Sequence, residues 1–458
     1  MRLRYLLALA LAILASPFIL FWAWSSVESS RLDRAFDALE ARHEPLDVAA
    51  FDPKPVSAEE RQASHYYKQA TNLIADLRPR WLTETSKLIE DFCTTSDPAT
   101  RQARETSLKS LEDHYTRAFD VLDRATALQA NGWDPADAPP RNSLDEYLPT
   151  ELAQINLVRV ARLACSGEGE AAGYALVGTL RLRRVFYRWT GVNFGVPTRH
   201  SLQLVLTAGA PPTLLDKLQQ EYQQIAGEPG FDAGLQLMRA RYLDLAQPGV
   251  FSDPRPGLAA RRMTPFEAIG LRLMRPARDH MTISELREFG EVIDAARQPW
   301  PRKLDEAARL DRTYPRASSR GNAMANLVNP FGRHYANNML QFWMPRVAEA
   351  VARTNASIGA IGVARWRADH HGAMPASLQD LVPRYLQSAL IDPYSGGELK
   401  YVASADGFKV YSVGVNRRDD GGTWEQRSDL MLARRGDPLD VGIAVQRLPK
   451  LPELPESP

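Results

Sequence analysis

Residues 152–189, LAQINLVRVARLACSGEGEAAGYALVGTLRLRRVFYRW, decide the fold class. The stretch divides into two apolar-periodic runs, Leu152 to Ala164 and Ala171 to Trp189, around the GEGE turn of Gly167 to Glu170. Apolar side chains that recur every three or four residues line one face of a helix. A connection this short makes the two helices antiparallel neighbours. The body of the chain therefore reads as helical hairpins.

Toward the N-terminus, Leu108, Leu111, Tyr115, Ala118, Leu122 and Ala125 fall on one stripe of a helix within Thr100 to Ala130. Lys109, Glu112, Asp113 and Arg117 surround the stripe, which is too short for a coiled coil and reads as core. Turn-rich breaks follow at Asn131 to Ser143 (NGWDPADAPPRNS) and at Gln247 to Gly257 (QPGVFSDPRPG). Further helices are predicted over Ser201–Thr207, Pro211–Ala226 and Phe231–Ala246. The succession of helix pairs loosely resembles a tetratricopeptide-like array, which implies a scaffold with a concave face, although no repeat consensus is present.

The N-terminus sets the expected topology. Arg2 and Arg4 precede an uncharged stretch from Tyr5 to Val27, and about 20 apolar residues in a helix span roughly 30 Å, the hydrocarbon thickness of a bilayer. Trp22 and Trp24 fall where interfacial aromatics belong, and the arginines favour an inside N-terminus. A membrane anchor with an exported body is expected. A cleaved signal peptide is the competing reading, with Ala23 and Ser25 as small residues at the cleavage site, but the apolar run exceeds the usual signal core. In an oxidising compartment Cys93 and Cys165 could pair; two buried thiols are the equal alternative.

Between Arg255 and Arg278 six arginines (255, 261, 262, 272, 275 and 278) face only Glu267 as opposing charge, with Met263, Phe266, Ile269, Leu271, Leu273 and Met274 interleaved. The pattern fits an amphipathic stretch on an anionic membrane or, more simply, a solvated basic helix face.

The C-terminal third changes character. Leu340, Trp343, Val347, Val351, Thr354, Ile358 and Ile361 keep helical spacing to about Ala368, with Pro345 starting or kinking the helix and Gly372 ending it. Ser377 and Asp380 predict a capped short helix through Tyr385. The period then becomes that of strands. Leu399, Tyr401 and Ala403, an Asp406-Gly407 turn, and Phe408, Val410 and Ser412 predict a β-hairpin, with a third strand at Val441, Ile443 and Val445.

The order long helix, HHGAMPASLQDLVPRYL, Asp392-Pro393-Tyr394, LKYV, DGFKVYSVGVNRRDDGG and SDL resembles the globular part of the major pseudopilins of type II secretion systems. The resemblance covers roughly Ala348 to Leu432. It implies a long helix packed on a small antiparallel sheet, and a calcium loop with Asp419, Asp420 and Asp429 as ligands. Ca²⁺ favours hard oxygen donors of this kind. The region between Met1 and Val27 has neither Gly nor Glu, so the pilin processing signature is missing, and the whole helical body separates the apolar helix from the module. The resemblance thus points to a borrowed domain.

Composition bounds the function. Lys plus Arg number 56 against 55 Asp plus Glu, a net charge of +1, which argues against nucleic acid as a partner. Two cysteines exclude a cysteine-rich metal site. HExxH, GxSxG and Walker-type signatures are missing, and Gly167-Glu168-Gly169 lies between helices, the wrong context for a dinucleotide fingerprint. Adjacent His370 and His371 point about 100° apart on a helix and cannot share a metal in the i, i+4 manner.

The expected organisation is mainly α: an anchor over 1–28, an N-terminal helical region over 29–143, a helical body over 144–335, a pseudopilin-like α+β module over 336–447 and a disordered tail over 448–458. The expected function is that of a non-enzymatic scaffold or binding protein for a protein or peptide partner. It would be held in the bacterial inner membrane through Tyr5 to Trp24 by a single pass, with its body in the periplasm. An accessory component of a type II secretion or pilus apparatus is one alternative. An envelope hydrolase with a spatially assembled site is the other.

Overall fold

The structure, a computed structural model, describes residues 2–51, 57–75, 95, 97–128, 130, 133–134, 136–137, 148–190, 199–227, 230–246, 273–314, 335–404, 407–423 and 439–446. Among the described residues there are eleven α-helices and one sheet of three strands. The helices are α1 (Arg2–Ala41), α2 (Ala58–Ala75), α3 (Pro98–Ala127), α4 (Leu148–Cys165), α5 (Gly169–Thr190) and α6 (Arg199–Thr207). They continue as α7 (Pro212–Ala226), α8 (Phe231–Ala246), α9 (Arg275–Arg297), α10 (Arg302–Thr313) and α11 (Tyr335–Asp369). The strands are β1 (Lys400–Ser404), β2 (Gly407–Ser412) and β3 (Val441–Gln446).

The chain divides into two compact units. The first comprises Met1–Asp52, Gly230–Gln298 and Asp305–Trp343; the second comprises Pro53–Pro229, Pro299–Leu304 and Met344–Pro458.

In the second unit the hairpin read from residues 152–189 is α4 against α5. Its turn is closed by Glu168 N–H donating to the Leu163 carbonyl at 2.9 Å, with Gly167 at φ +82°. Buried Asn156 donates from Nδ2 to the Ala175 carbonyl (2.8 Å) and to Thr179 Oγ1 (3.0 Å), which fixes the register of the pair. Leu108, Tyr115, Ala118, Leu122 and Ala125 of the α3 stripe are buried, and Leu111 packs at the margin. The turn-rich break after α3 is partly core. Trp133 is fully buried and lies 5.6 Å from the Tyr67 ring.

The sheet order is β1-β2-β3, all antiparallel, with Tyr401 opposite Val410 and Val410 opposite Ile443. The predicted hairpin and third strand are present; Asp406, in the turn, lies outside the described residues. Glycine permits the close packing: a Cβ on Gly442 would stand 2.3 Å from the Val410 carbonyl oxygen. One apolar cluster runs from Leu157, Leu180, Leu218 and Tyr222 of the helices to Ile358, Ile361, Phe408 and Ile443 of the module. Each such side chain, fully buried, contributes ~1.5–3 kcal/mol. Body and module therefore share one core.

Three expectations change. Pro345 does not start the long helix, which begins at Tyr335 and contains it. The capped segment after Ser377 is a single 3₁₀ turn, Leu378–Leu381, although Ser377 N–H does donate to Asp380 at 2.8 Å. Pro383 has no N–H to extend it. The expected separate transmembrane helix is not supported. Among the described residues no helix is long and apolar enough to cross a membrane, and α1 runs on from the apolar stretch through charged residues to Ala41.

The first unit holds the second half of α1 against α9, and α8 against α9. Tyr242, Phe289 and Tyr335 meet there with ring centroids 6.0–6.2 Å apart. Cys93, Arg255 to Arg272 and the tail from Pro449 lie outside the described residues, so the Cys93–Cys165 pairing and most of the arginine-rich stretch do too; Cys165 is half-buried against the core.

Candidate functional site

The loop that follows β2 gathers most of the acidic side chains singled out from the sequence. It is built on Asp392, which is fully buried at the Asp-Pro-Tyr turn. Its carboxylate accepts from Tyr394 N–H (2.9 Å), Ser412 O–H (2.6 Å), Val413 N–H (3.0 Å) and Ser395 O–H (3.1 Å). The DPY turn and the YSVG end of β2 are thereby bonded to each other. Gly414, at φ +67°, lets the chain leave the strand, because a Cβ there would overlap the Leu439 carbonyl.

The acids then fold the loop back on itself. Asp419 accepts from Tyr411 O–H and from Gly421 N–H, both at 3.0 Å. Asp420 accepts from Asn416 Nδ2 at 2.8 Å and from Leu439 N–H at 3.1 Å. Asp440, buried just before β3, accepts from Asp420 N–H (3.1 Å) and Gly422 N–H (2.8 Å). Lys409 donates to the Gly422 carbonyl at 3.0 Å from below. The loop is closed by carboxylates facing backbone N–H groups, an arrangement of charge-assisted hydrogen bonds.

Protonation follows these environments. The Asn416 hydrogen bond, with Leu439 N–H and Arg418, outweighs burial and holds the Asp420 carboxyl below its usual value. Burial pushes Asp440 up, reinforced by the neighbouring charges of Asp420 and Asp419. Burial and the bond to Asp419 likewise raise Tyr411.

Of the three expected calcium ligands, Asp419 and Asp420 are thus brought together and Asp429 lies outside the described residues. Among the described residues no group of three or more His, Cys, Asp or Glu side chains is placed to hold a metal ion. Asp440 was not singled out by the sequence reading. Its signal was an acid directly preceding a strand, with a Gly-Gly pair elsewhere as the source of N–H donors. His370 stacks on Trp366 at 3.9 Å and its Nδ1 lies 2.8 Å from the Trp366 carbonyl oxygen, while His371 at φ +53° is exposed past the helix end.

The first unit contains a second charged site that periodicity did not reveal. Arg239 of α8 is fully buried; its guanidinium pairs with Glu44 and donates to the Pro45 carbonyl at 3.1 Å. Arg297 of α9 reaches the other Glu44 oxygen at 3.3 Å. Burial pushes the Glu44 carboxyl up, but the two arginines outweigh it and hold it below its usual value. On α9, Glu288 accepts from the backbone N–H of Asn337 at 2.8 Å. These contacts staple the segment after α1 to α8 and α9, and the start of α11 to α9.

The third feature is apolar. Phe18 (77% exposed), Ile19, Leu20, Trp22 (72%), Trp24 and Val27 of α1 all present their side chains outward. One residue later Glu28 is buried, and the helix docks on α9.

Fold and sites define a mainly helical protein whose small sheet carries an acid-closed loop and whose first helix bears exposed apolar side chains between Phe18 and Val27. No family model, curated protein or solved structure matches the chain.

Proposed function

We propose that this is a membrane-anchored scaffold or binding protein of the bacterial envelope. The segment Tyr5 to Trp24 holds it in the inner membrane by a single pass, and the helical body and the pseudopilin-like module face the periplasm. The observation that carries the reading is the split character of α1. Six large apolar side chains between Phe18 and Val27 are exposed, whereas Leu39 in the second half is buried. A contiguous exposed apolar run is unusual on a soluble surface and marks a face that another apolar phase covers. The tryptophans close to the end of that run suit the lipid–water interface. The body then acts by recognition, with its helical surface engaging a protein or peptide.

Alkaline carbonate extraction of cell membranes tests the anchor: the chain is expected in the pellet and is released only by detergent. C-terminal alkaline phosphatase fusions are expected to be active and C-terminal green fluorescent protein fusions dark. A chain recovered in the carbonate supernatant, or a bright cytosolic fusion, defeats the reading.

A role as an accessory component of a secretion or pilus apparatus draws support from the bonded DPY turn and YSVG strand end. Crosslinking in intact membranes is expected to capture secretion or pilus subunits in that case. Crosslinked membranes free of such subunits leave the scaffold reading alone.

A further inference from the structure

We propose that the junction of α1 and α9 is a binding site for the headgroups of anionic phospholipids, gripped by Arg275 and Arg31 and bordered by Leu273. The inference rests on the membrane reading of α1 and assigns that end of the first unit a lipid contact of its own. Arg275 lies at the start of α9, with Nη2 3.5 Å from Ser29 Oγ of α1. Ser29 is five residues beyond Trp24, about 7.5 Å along a helix. A headgroup layer is roughly 5–7.5 Å thick on each side of the hydrocarbon. With Trp24 at the hydrocarbon edge, the Arg275 guanidinium sits at the level of the phosphates.

The charges are layered in the way such a site requires. The exposed rim carries two guanidinium groups, those of Arg275 and Arg31, whose side chains are 56% and 53% exposed, with the 63% exposed side chain of His280 beside them. Their acidic partners lie beneath. Glu28, next to Arg31 (3.1 Å) and His280 (3.4 Å), is 5% exposed, and Asp279, 3.5 Å from Arg275, is 7% exposed. The arginines are thus oriented by buried carboxylates while their outer N–H donors face solvent, ready for a bidentate phosphate contact. Arg278, buried on the same turn, keeps Nη1 without a hydrogen-bond partner. Asp33, exposed one turn further along α1, is near enough for its charge to act on Asp279, so one exposed acid borders the arginines on that side. Leu273, just ahead of Arg275, is 59% exposed, an apolar side chain beside a cation as at membrane-surface anchors.

The test uses the full chain in vesicles of phosphatidylcholine alone or mixed with phosphatidylglycerol. A nitroxide is attached through Leu273→Cys in a Cys93→Ser, Cys165→Ser background, with Arg309→Cys on exposed α10 as the aqueous reference. Power saturation by oxygen and by a water-soluble nickel complex is expected to place the Leu273 label in the headgroup layer and the Arg309 label in water. Native mass spectrometry is expected to show phosphatidylglycerol retained by the wild type. Arg275→Glu is expected to retain about fivefold less or lower still, since one arginine near an anionic surface counts for about that factor. Carbonate resistance is expected to be unchanged by this substitution. A carbonate-resistant chain whose two labels are equally nickel-accessible, or whose phosphatidylglycerol retention ignores Arg275→Glu, overturns the lipid site and leaves the anchor standing. A chain that carbonate extracts overturns the anchor itself, and this inference with it.

Discussion

Two buried sites, one in each unit, hold their charge by different means, although the second unit also buries an ion pair, Arg184 with Glu221 at 2.7 Å. In the first, Arg239 is sealed from water and neutralised by a counter-charge, Glu44, which Arg297 also holds. In the second, Asp392 is equally sealed but meets no cation among the described residues. Its four partners are two backbone N–H groups and two hydroxyls. The contrast shows two solutions to one desolvation problem. An ion pair stands or falls with its partner, whereas a carboxylate ringed by N–H dipoles depends on the path of the backbone. The first solution joins segments far apart in sequence; the second closes turns.

The largest expected effect breaks the ion pair. Arg239→Ala leaves Glu44 buried with Arg297 as its remaining partner and is expected to cost ~3–5 kcal/mol in chemical denaturation. The double substitution Arg239→Met with Glu44→Leu is expected to recover most of that loss, because apolar groups of similar volume replace the pair. A single substitution with no measurable cost would show that the pair adds nothing.

Asp392→Asn sharpens the other side. The amide turns an N–H donor toward groups that themselves donate, and an expected loss of ~2 kcal/mol follows from the unsatisfied contacts. Hydrogen exchange at Tyr394 and Val413 should accelerate, with exchange in α8 unchanged.

Acid titration separates the two solutions by sign. Glu44 has a folded pKa below its ordinary 4.5, so its contribution is present above that value and is lost as pH falls through the folded pKa. Asp440 has a folded pKa above its ordinary 3.8, so ionising it burdens the fold, and the burden is relieved as pH falls through its folded pKa. Stability followed from pH 7 downward is therefore expected to rise less steeply, or fall more, in Asp440→Asn than in the wild type. Glu44→Gln is expected to remove part of the acid-induced loss.

The smallest expected effect concerns calcium. The Asp419, Asp420 and Asp440 carboxylates already face N–H and O–H donors. Millimolar Ca²⁺ is expected to leave the melting temperature unchanged. A rise on titration would show that the loop exchanges these donors for a metal and would restore the site implied by the pseudopilin resemblance.

Much of the fold was legible because its signals are local. The α3 stripe, the α4–α5 turn and the β-hairpin each follow from spacing within a dozen residues or so, the range over which periodicity speaks. Ser57 and Glu60 at the start of α2 bond reciprocally at 3.1 and 2.8 Å, a local capping pattern that the sequence reading did not single out. The short 3₁₀ turn after Ser377 shows the limit of that signal, since a cap marks where a helix starts and says nothing of its length.

The acid-closed loop was half legible. Asp419 and Asp420 stand in a DDGG string that any reading selects, but Asp440 joins them from across the residues between β2 and β3. The Arg239–Glu44 pair was not legible at all: 195 positions separate its members, and each alone looks like an ordinary surface residue.

The amino-acid order by itself determined the helical class, the change to strand period after Leu399 and the apolar character of the first helix, because each depends on neighbours a few bonds away. The tertiary structure alone decided that body and module share a core, which acids close the loop, and which arginines are buried. Those outcomes depend on desolvation, and only the folded chain fixes which groups lose their water and what faces them instead.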